Sequence, residues 1–297
     1  MSENIEDYVI LDDEPISLIS KLKKIPMTYY LVGVNVIVFL LIHITNFLIA
    51  DNWLLVQLMK NTEAIALNGE IYRLFTAIFT HVDLYHIFFN CMALIILGKP
   101  IEQILGKWKF LIIFLVAGLF GSLASFIFSA NNAIGASGGV FGLFGVHFYL
   151  LMINKKVYLK VFGNEIFKLL LINVVIGFLV PNIDYYGHFG GILGGFLATL
   201  SLGLGHKLKA NKNLIVGMLL TCILFSGSLL YFDHNYQICR DGLDSYIDQA
   251  NDAINRNDLL DLKETRAALK GSIPLLPPVP EADFILDQID EIIEKAE

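Results

Sequence analysis

Three polar sites lie at the heads of long apolar segments. They are Ser137 in Gly135-Ala136-Ser137-Gly138, His188 in Gly187-His188-Phe189-Gly190-Gly191, and the run from His81 to Asn90 that also contains His86. Polar side chains inside a bilayer are costly, so such residues are functional candidates by default. A serine hydroxyl attacks poorly until a neighbouring base takes its proton. A neutral histidine, with an ordinary pKa near ~6.5, suits that task. Acyl transfer also needs donors for the oxyanion of the tetrahedral intermediate. The Ser137 backbone N–H, near a helix N-terminus, can be one. The Asn90 amide and the His86 imidazole can be others, because residues four apart share a helix face. The chemistry this set could perform is hydrolysis by Ser137 and His188, with an oxyanion hole of Ser137, His86 and Asn90.

Taken singly, these motifs have blander readings. A glycine-flanked serine in an apolar helix is more often a packing device. Gly135 to Gly139 also fits the nucleophile elbow of soluble hydrolases, but no strand precedes it, so that fold is rejected. His43 and His147 sit mid-span without a matched partner and read as structural. His206 and His234 flank spans and read as interfacial. Asp184, four residues before His188, could orient it; a surface loop carboxylate is the simpler account. The three cysteines (Cys91, Cys222, Cys239) make no disulfide framework and no zinc spacing. His81 and His86 are five apart with no glutamate between them, which is not HExxH. No phosphate loop and no basic nucleic-acid surface occur, and no cofactor or metal is expected.

The elements that must carry these residues are apolar helices. Of 297 residues, 56% are hydrophobic and 16% charged, against about 25% charged in a soluble domain. An all-α, polytopic membrane bundle follows. A spanning helix needs roughly 20 apolar residues, and seven such stretches fall at about 27–49, 84–101, 108–129, 137–153, 166–180, 187–205 and 214–232. The linker between the first two is too long for a simple loop and reads as partly helical and interfacial. Thirteen lysines flank the spans on one side, against Lys60 and Arg73 on the other. By the positive-inside rule the N-terminus is then cytoplasmic and the C-terminus outside.

This topology puts Ser137, His188 and the His81–Asn90 run at the outer ends of the fourth, sixth and second spans. Gly138, Gly142 and Gly145 on the fourth span, and Gly187, Gly191 and Gly195 on the sixth, let the two backbones approach closely; Gly190 and Gly194 form a second row. The fourth span, Ser137 to Ile153, is only roughly 26 Å long at 1.5 Å per residue. Its serine end would stop below the surface, reached by non-helical backbone that needs a water-filled cavity or burial in protein. The remainder divides into a cytoplasmic segment 1–26, a six-helix core 27–205, a connection and seventh helix 206–232, and an acidic tail 233–297. The tail has 15 acidic against 6 basic side chains. Its apolar residues recur at helical spacing around Leu243–Ile254 and Phe284–Ile293. It reads as a solvated helical appendage that could also dock a partner.

With these motifs in order, the chain resembles the rhomboid family of intramembrane serine proteases over about 27–205, in the variant that adds one helix after a six-helix core. The resemblance implies Ser137 as nucleophile, His188 as base without an acid, oxyanion binding by His86, Asn90 and the Ser137 amide, and a structural role for His81. It implies single-span membrane proteins as substrates, the lipid bilayer as the medium, and a fifth span that flexes to admit them. Two departures occur. Tyr72-Arg73 stands where the family often has Trp-Arg. Phe141 stands where a tyrosine often stacks under the histidine, keeping the face and losing the hydroxyl. The rival readings are an inactive rhomboid-like binder, and a transporter using His81, His86 and His188, which leaves Ser137 unexplained. An aspartyl protease would need two aspartates inside spans, and no span interior has one.

Overall fold

The computed structural model describes residues 25–49, 51–129, 131–179, 183–204, 226–227, 242–272 and 280–296. Among them the only regular structure is helical, apart from one isolated antiparallel bridge between Lys60 and Ala133. The core helices are α1 (Met27–Ile49), α5 (Leu84–Leu105), α6 (Lys107–Phe128), α7 (Ser137–Ile153), α9 (Glu165–Leu179) and α10 (Tyr185–Leu202). They match the first six expected spans to within a few residues. The seventh, with His206, His234, Cys222 and Cys239, lies almost wholly outside the described residues. Among the described residues, three helices, α1, α5 and α6, are long and apolar enough to cross a membrane, and α7 is a shorter apolar helix.

The long linker is helical in pieces: α2 (Trp53–Leu58), α3 (Thr62–Asn68), α4 (Arg73–Thr76) and a 3₁₀ turn at Ala77–Phe79. Arg73 organises it. Its guanidinium pairs with Glu70 and donates to the Gln57 and Met59 carbonyls at 2.9 and 3.2 Å. Between the fourth and fifth spans lies α8 (Lys155–Phe162), which the sequence reading left as a connection. Its Tyr158 is fully buried and its hydroxyl lies 3.3 Å from His147 Nδ1. That contact gives His147 the structural role expected of it.

Helix ends are held by side chains from distant elements. The first N–H groups of a helix lack intrahelical partners, and a carboxylate there is favoured by the helix dipole. Glu102 of α5 supplies one for α1, accepting from the Met27 and Thr28 amides at 2.6 and 2.9 Å and from the Thr28 hydroxyl at 2.8 Å. This explains why α5 runs past its expected end at 101. Pro100 lies inside it, and the extra turn is locked by fully buried Ile101 and Leu105 and by that cap. At the opposite pole of a helix, the buried Lys109 of α6 donates to the Leu202, Gly203 and Leu204 carbonyls at the end of α10.

The interior is a three-helix contact of α6, α7 and α10, with α1 and α5 flanking it. Leu94, Phe110, Phe114, Leu143 and Phe144 fill its centre at 0–1% exposure. The flanking α1 presents Ile37, Leu40, Leu41 and Phe47 outward, as a helix facing lipid does. The tail is helical over 242–255 (α11), α12 (Leu259–Ser272) and α13 (Pro280–Ala296). It buries Ala253, Leu262, Leu269 and Ile289 and pairs Arg266 with Asp290.

Candidate active site

Ser137 is the first residue of α7. The chain reaches it through an irregular segment from Ser129, and this segment is pinned from the first-loop side. Lys60 and Ala133 exchange backbone hydrogen bonds at 2.9 and 3.1 Å, and the Gly135 amide donates to the Ala77 carbonyl at 2.9 Å. The Ala136 amide donates to His81 Nε2 at 3.3 Å, while His81 Nδ1 lies 3.3 Å from the Phe79 carbonyl. That carbonyl can only accept, so Nδ1 carries the proton and Nε2 is left to accept from Ala136. Fully buried His81 thus takes up an N–H group at the start of α7.

Gly135 has φ +113°, a conformation that only glycine adopts without strain. Its second reason is spatial. A Cβ there would sit 2.6 Å from His86 Nε2 and 3.7 Å from Asn90 Nδ2. The imidazole and the amide therefore both reach the segment two residues before Ser137. Asp83 caps α5 by accepting from the His86 amide at 2.8 Å. Asn90 Nδ2 donates to the His86 carbonyl at 3.0 Å, which fixes its amide and leaves its second N–H free of that bond.

His188 is the fourth residue of α10. Its ring lies flat on Phe141, one turn after Ser137, with centroids 3.9 Å apart and planes 7° from parallel. Phenylalanine supplies the stacking face at this position. Around the pair the backbones touch. A Cβ on Gly191 would run into the Gly138 carbonyl oxygen, and one on Gly195 into the Gly142 carbonyl. The Gly187 carbonyl oxygen lies 3.6 Å from where a Gly138 Cβ would be. Ser137 and His188 are thus each next to a glycine at this close approach of α7 and α10. The second glycine row does different work: Gly190 and Gly194 face Phe120, Ala124 and Ala117 of α6. Asp184 is the N-cap of α10 and accepts from the Gly187 amide at 2.9 Å. It is neither a free surface carboxylate nor shown bonded to the His188 ring.

A small cavity opens on this site, lined by Ala77, Ser122, Gly135, Ser137, Asp184 and Gly187. Cavity and loop account for two residues that the sequence reading passed over, Ser122 and Lys60. Lys60 had been counted only as an outward charge, yet it is fully buried. No periodicity or motif marks either one. Among the described residues, no three metal-ligating side chains converge.

The fold and the site together define a bundle of apolar helices in which a serine begins one helix and a histidine of another stacks on a phenylalanine one turn after that serine. Comparison with known sequences places it further. The Rhomboid domain family matches residues 68–204. Rhomboid protease GluP of Bacillus subtilis is 33% identical over 278 residues, covering 92% of this chain and 54% of GluP. The rhomboid-type protein YdcA of the same organism is 33% identical over 134 residues, 44% of this chain and 67% of YdcA. Inactive RHOMBOID-like protein 8 of Arabidopsis thaliana is 34% identical over 134 residues, 44% of this chain and 38% of that protein. The chain belongs to the rhomboid family. It spans about half the length of GluP, and its similarities include both named proteases and a relative named inactive.

Proposed function

We propose that the protein is an intramembrane serine protease that cuts single-span membrane proteins by a Ser137–His188 dyad. In this reading His188 takes the Ser137 proton as the hydroxyl oxygen bonds to the scissile carbonyl carbon. The oxyanion receives hydrogen bonds from the Ser137 amide, Asn90 and His86. When the C–N bond breaks, His188 returns the proton to the leaving amine. A water molecule, activated by the same histidine, then releases the acyl group from Ser137. His81, Gly135, Gly138, Phe141, Gly187, Gly191 and Arg73 hold the machinery rather than react. The observation that carries the reading is the packing of the His86 ring and the Asn90 amide against Gly135, with His188 stacked on Phe141 one turn beyond the serine. A transporter lined by histidines has no use for that convergence on a glycine-flanked serine.

The proposal extends to seven spans with residues 1–26 cytoplasmic, a six-helix core over 27–205, a seventh helix within 206–232, and the tail 233–297 outside a cell membrane beside the active-site opening. The acidic tail is free there to dock a partner. The test is a reconstituted full chain with a single-span reporter substrate and a fluorophosphonate probe. Wild type should cleave and label. Ser137→Ala and His188→Ala should do neither, while Asn90→Ala should retain activity reduced by about 10²–10³. Cleavage that survives in Ser137→Ala removes the mechanism. A wild-type chain that binds the reporter without labelling supports the inactive binder.

A further inference from the structure

We propose that Lys60 is a positioning residue for Ser137, and that its ammonium group locks the nucleophile-bearing segment onto the first loop. The inference rests on the protease reading for its catalytic consequence, though not for its geometry. Lys60 is fully buried. Its Nζ donates to the Ser129 carbonyl at 3.0 Å and to the Asn131 carbonyl at 2.7 Å. The Thr62 hydroxyl shares the Ser129 carbonyl at 3.0 Å, and the Lys60 main chain pairs in both directions with Ala133. Four residues beyond that bridge stands Ser137. The segment leaves α6 at Ser129 and enters α7 at Ser137, so its path between two packed rods decides where the hydroxyl and amide of Ser137 point.

An apolar side chain would fill the same space more cheaply, since burying a charge is costly. It would take the ammonium donor from the Asn131 carbonyl and leave the Ser129 carbonyl to Thr62 alone, and an unpaired buried carbonyl carries a penalty of its own. Ammonium-to-carbonyl bonds are charge-assisted and stronger than neutral ones. Among the described residues, few charged groups face Lys60. Asp184, at the start of α10, interacts with it electrostatically. Arg73 of the first loop holds the Met59 carbonyl one residue away. Residues 129–136 contribute no titratable side chain. Burial pushes the Lys60 pKa down to about 8, against the smaller opposing pull of Asp184. Raising the pH through 8 therefore weakens the lock without unfolding the protein. The unfolded chain, with its lysine pKa near ~10.4, binds more protons than the folded one between about 8 and 10.4. Stability contributed by this group accordingly rises, not falls, across that window.

The test uses the full chain in detergent or liposomes, as wild type and as Lys60→Met, which keeps the length and removes the charge. Two measurements are made: the rate of fluorophosphonate reaction from pH 7 to 9.5, and hydrogen exchange at the Ala133, Gly135 and Ala136 amides. Wild type should label more slowly as the pH passes 8 while its melting temperature does not fall. Lys60→Met should label about tenfold more slowly, as a small misplacement of the reacting group would produce. Its pH profile should be flat over that range, with faster exchange at the three amides and an unchanged KM for a reporter substrate. Unchanged exchange in a folded Lys60→Met overturns the lock, whatever the activity. If that variant does not fold, Thr62→Val and the wild-type pH profile decide. The lock stands if the valine variant speeds exchange at Ala133 and the wild-type rate falls above pH 8, and it fails otherwise. A wild type inert to the probe, with faster exchange in the variant, leaves the lock standing and sinks the protease reading.

Discussion

Gly135 shows how much one missing side chain can carry. Its φ of +113° and the His86 ring 2.6 Å from its absent Cβ are independent obstacles to any substitution. Gly69 offers a control, because it shares a positive φ of +67° but has open space around its Cβ position. Gly69→Ala should cost only the backbone strain, about 1 kcal/mol, and leave labelling of Ser137 intact. Gly135→Ala adds a collision with an imidazole assigned to the oxyanion hole. It should abolish probe labelling at a pH where Gly69→Ala reacts normally. Equal labelling of the two variants would show that His86 yields freely, and that its placement against the serine segment means little.

Between elements, the decisive contact is α7 against α10, and small residues set its distance. In lipid the association of helices depends on close packing more than on the hydrophobic effect. Gly191→Ala would drive a methyl group into the Gly138 carbonyl, next to Ser137. Gly33 on α1 has nothing within 4 Å of its Cβ position. Gly33→Ala should be neutral or slightly stabilising, because alanine is favoured over glycine in helices by roughly 1 kcal/mol. Gly191→Ala should lower the thermal midpoint and, on the protease reading proposed above, cut cleavage by about 10²-fold, the scale of an ångström's displacement between reacting groups. Matched melting curves and rates for the two variants would refute the claim that this seam sets the geometry. Lys109, clasping the end of α10, and Glu102, capping α1, tie helix ends together by hydrogen bonds where the glycines act by close approach.

At the scale of the molecule, the charge asymmetry gains meaning from burial. The two basic residues counted against thirteen, Lys60 and Arg73, are 0% and 4% exposed. Both are spent on loop carbonyls, and Lys109 among the thirteen is spent likewise on the end of α10, so burial leaves the asymmetry in place. The orientation rule then predicts a cytoplasmic N-terminus and an external C-terminus. Reporter fusions at the two ends, or protease protection of a tag after residue 297 in sealed cells, should place them on opposite sides. Termini found on the same side would contradict seven spans and require the site's orientation to be redrawn.

The amino-acid sequence by itself determined the class of fold and the first six helical stretches, and it singled out Ser137, His188, His86 and Asn90 as candidates for acyl transfer. Apolar runs of membrane length and a serine among glycines are local patterns, and local patterns survive without knowledge of neighbours. It did not reveal that Gly190 and Gly194 serve α6 rather than α7, that α5 continues past 101 to deliver Glu102, or that a further helix links the fourth and fifth spans. Nor did it reveal Lys60 as a lock or Asp184 as a cap. The roles of Lys60 and Glu102 depend on which carbonyl or amide is left unpaired when two distant elements meet. Such orphaned groups exist only once the chain is folded, so tertiary structure alone decided how they are satisfied.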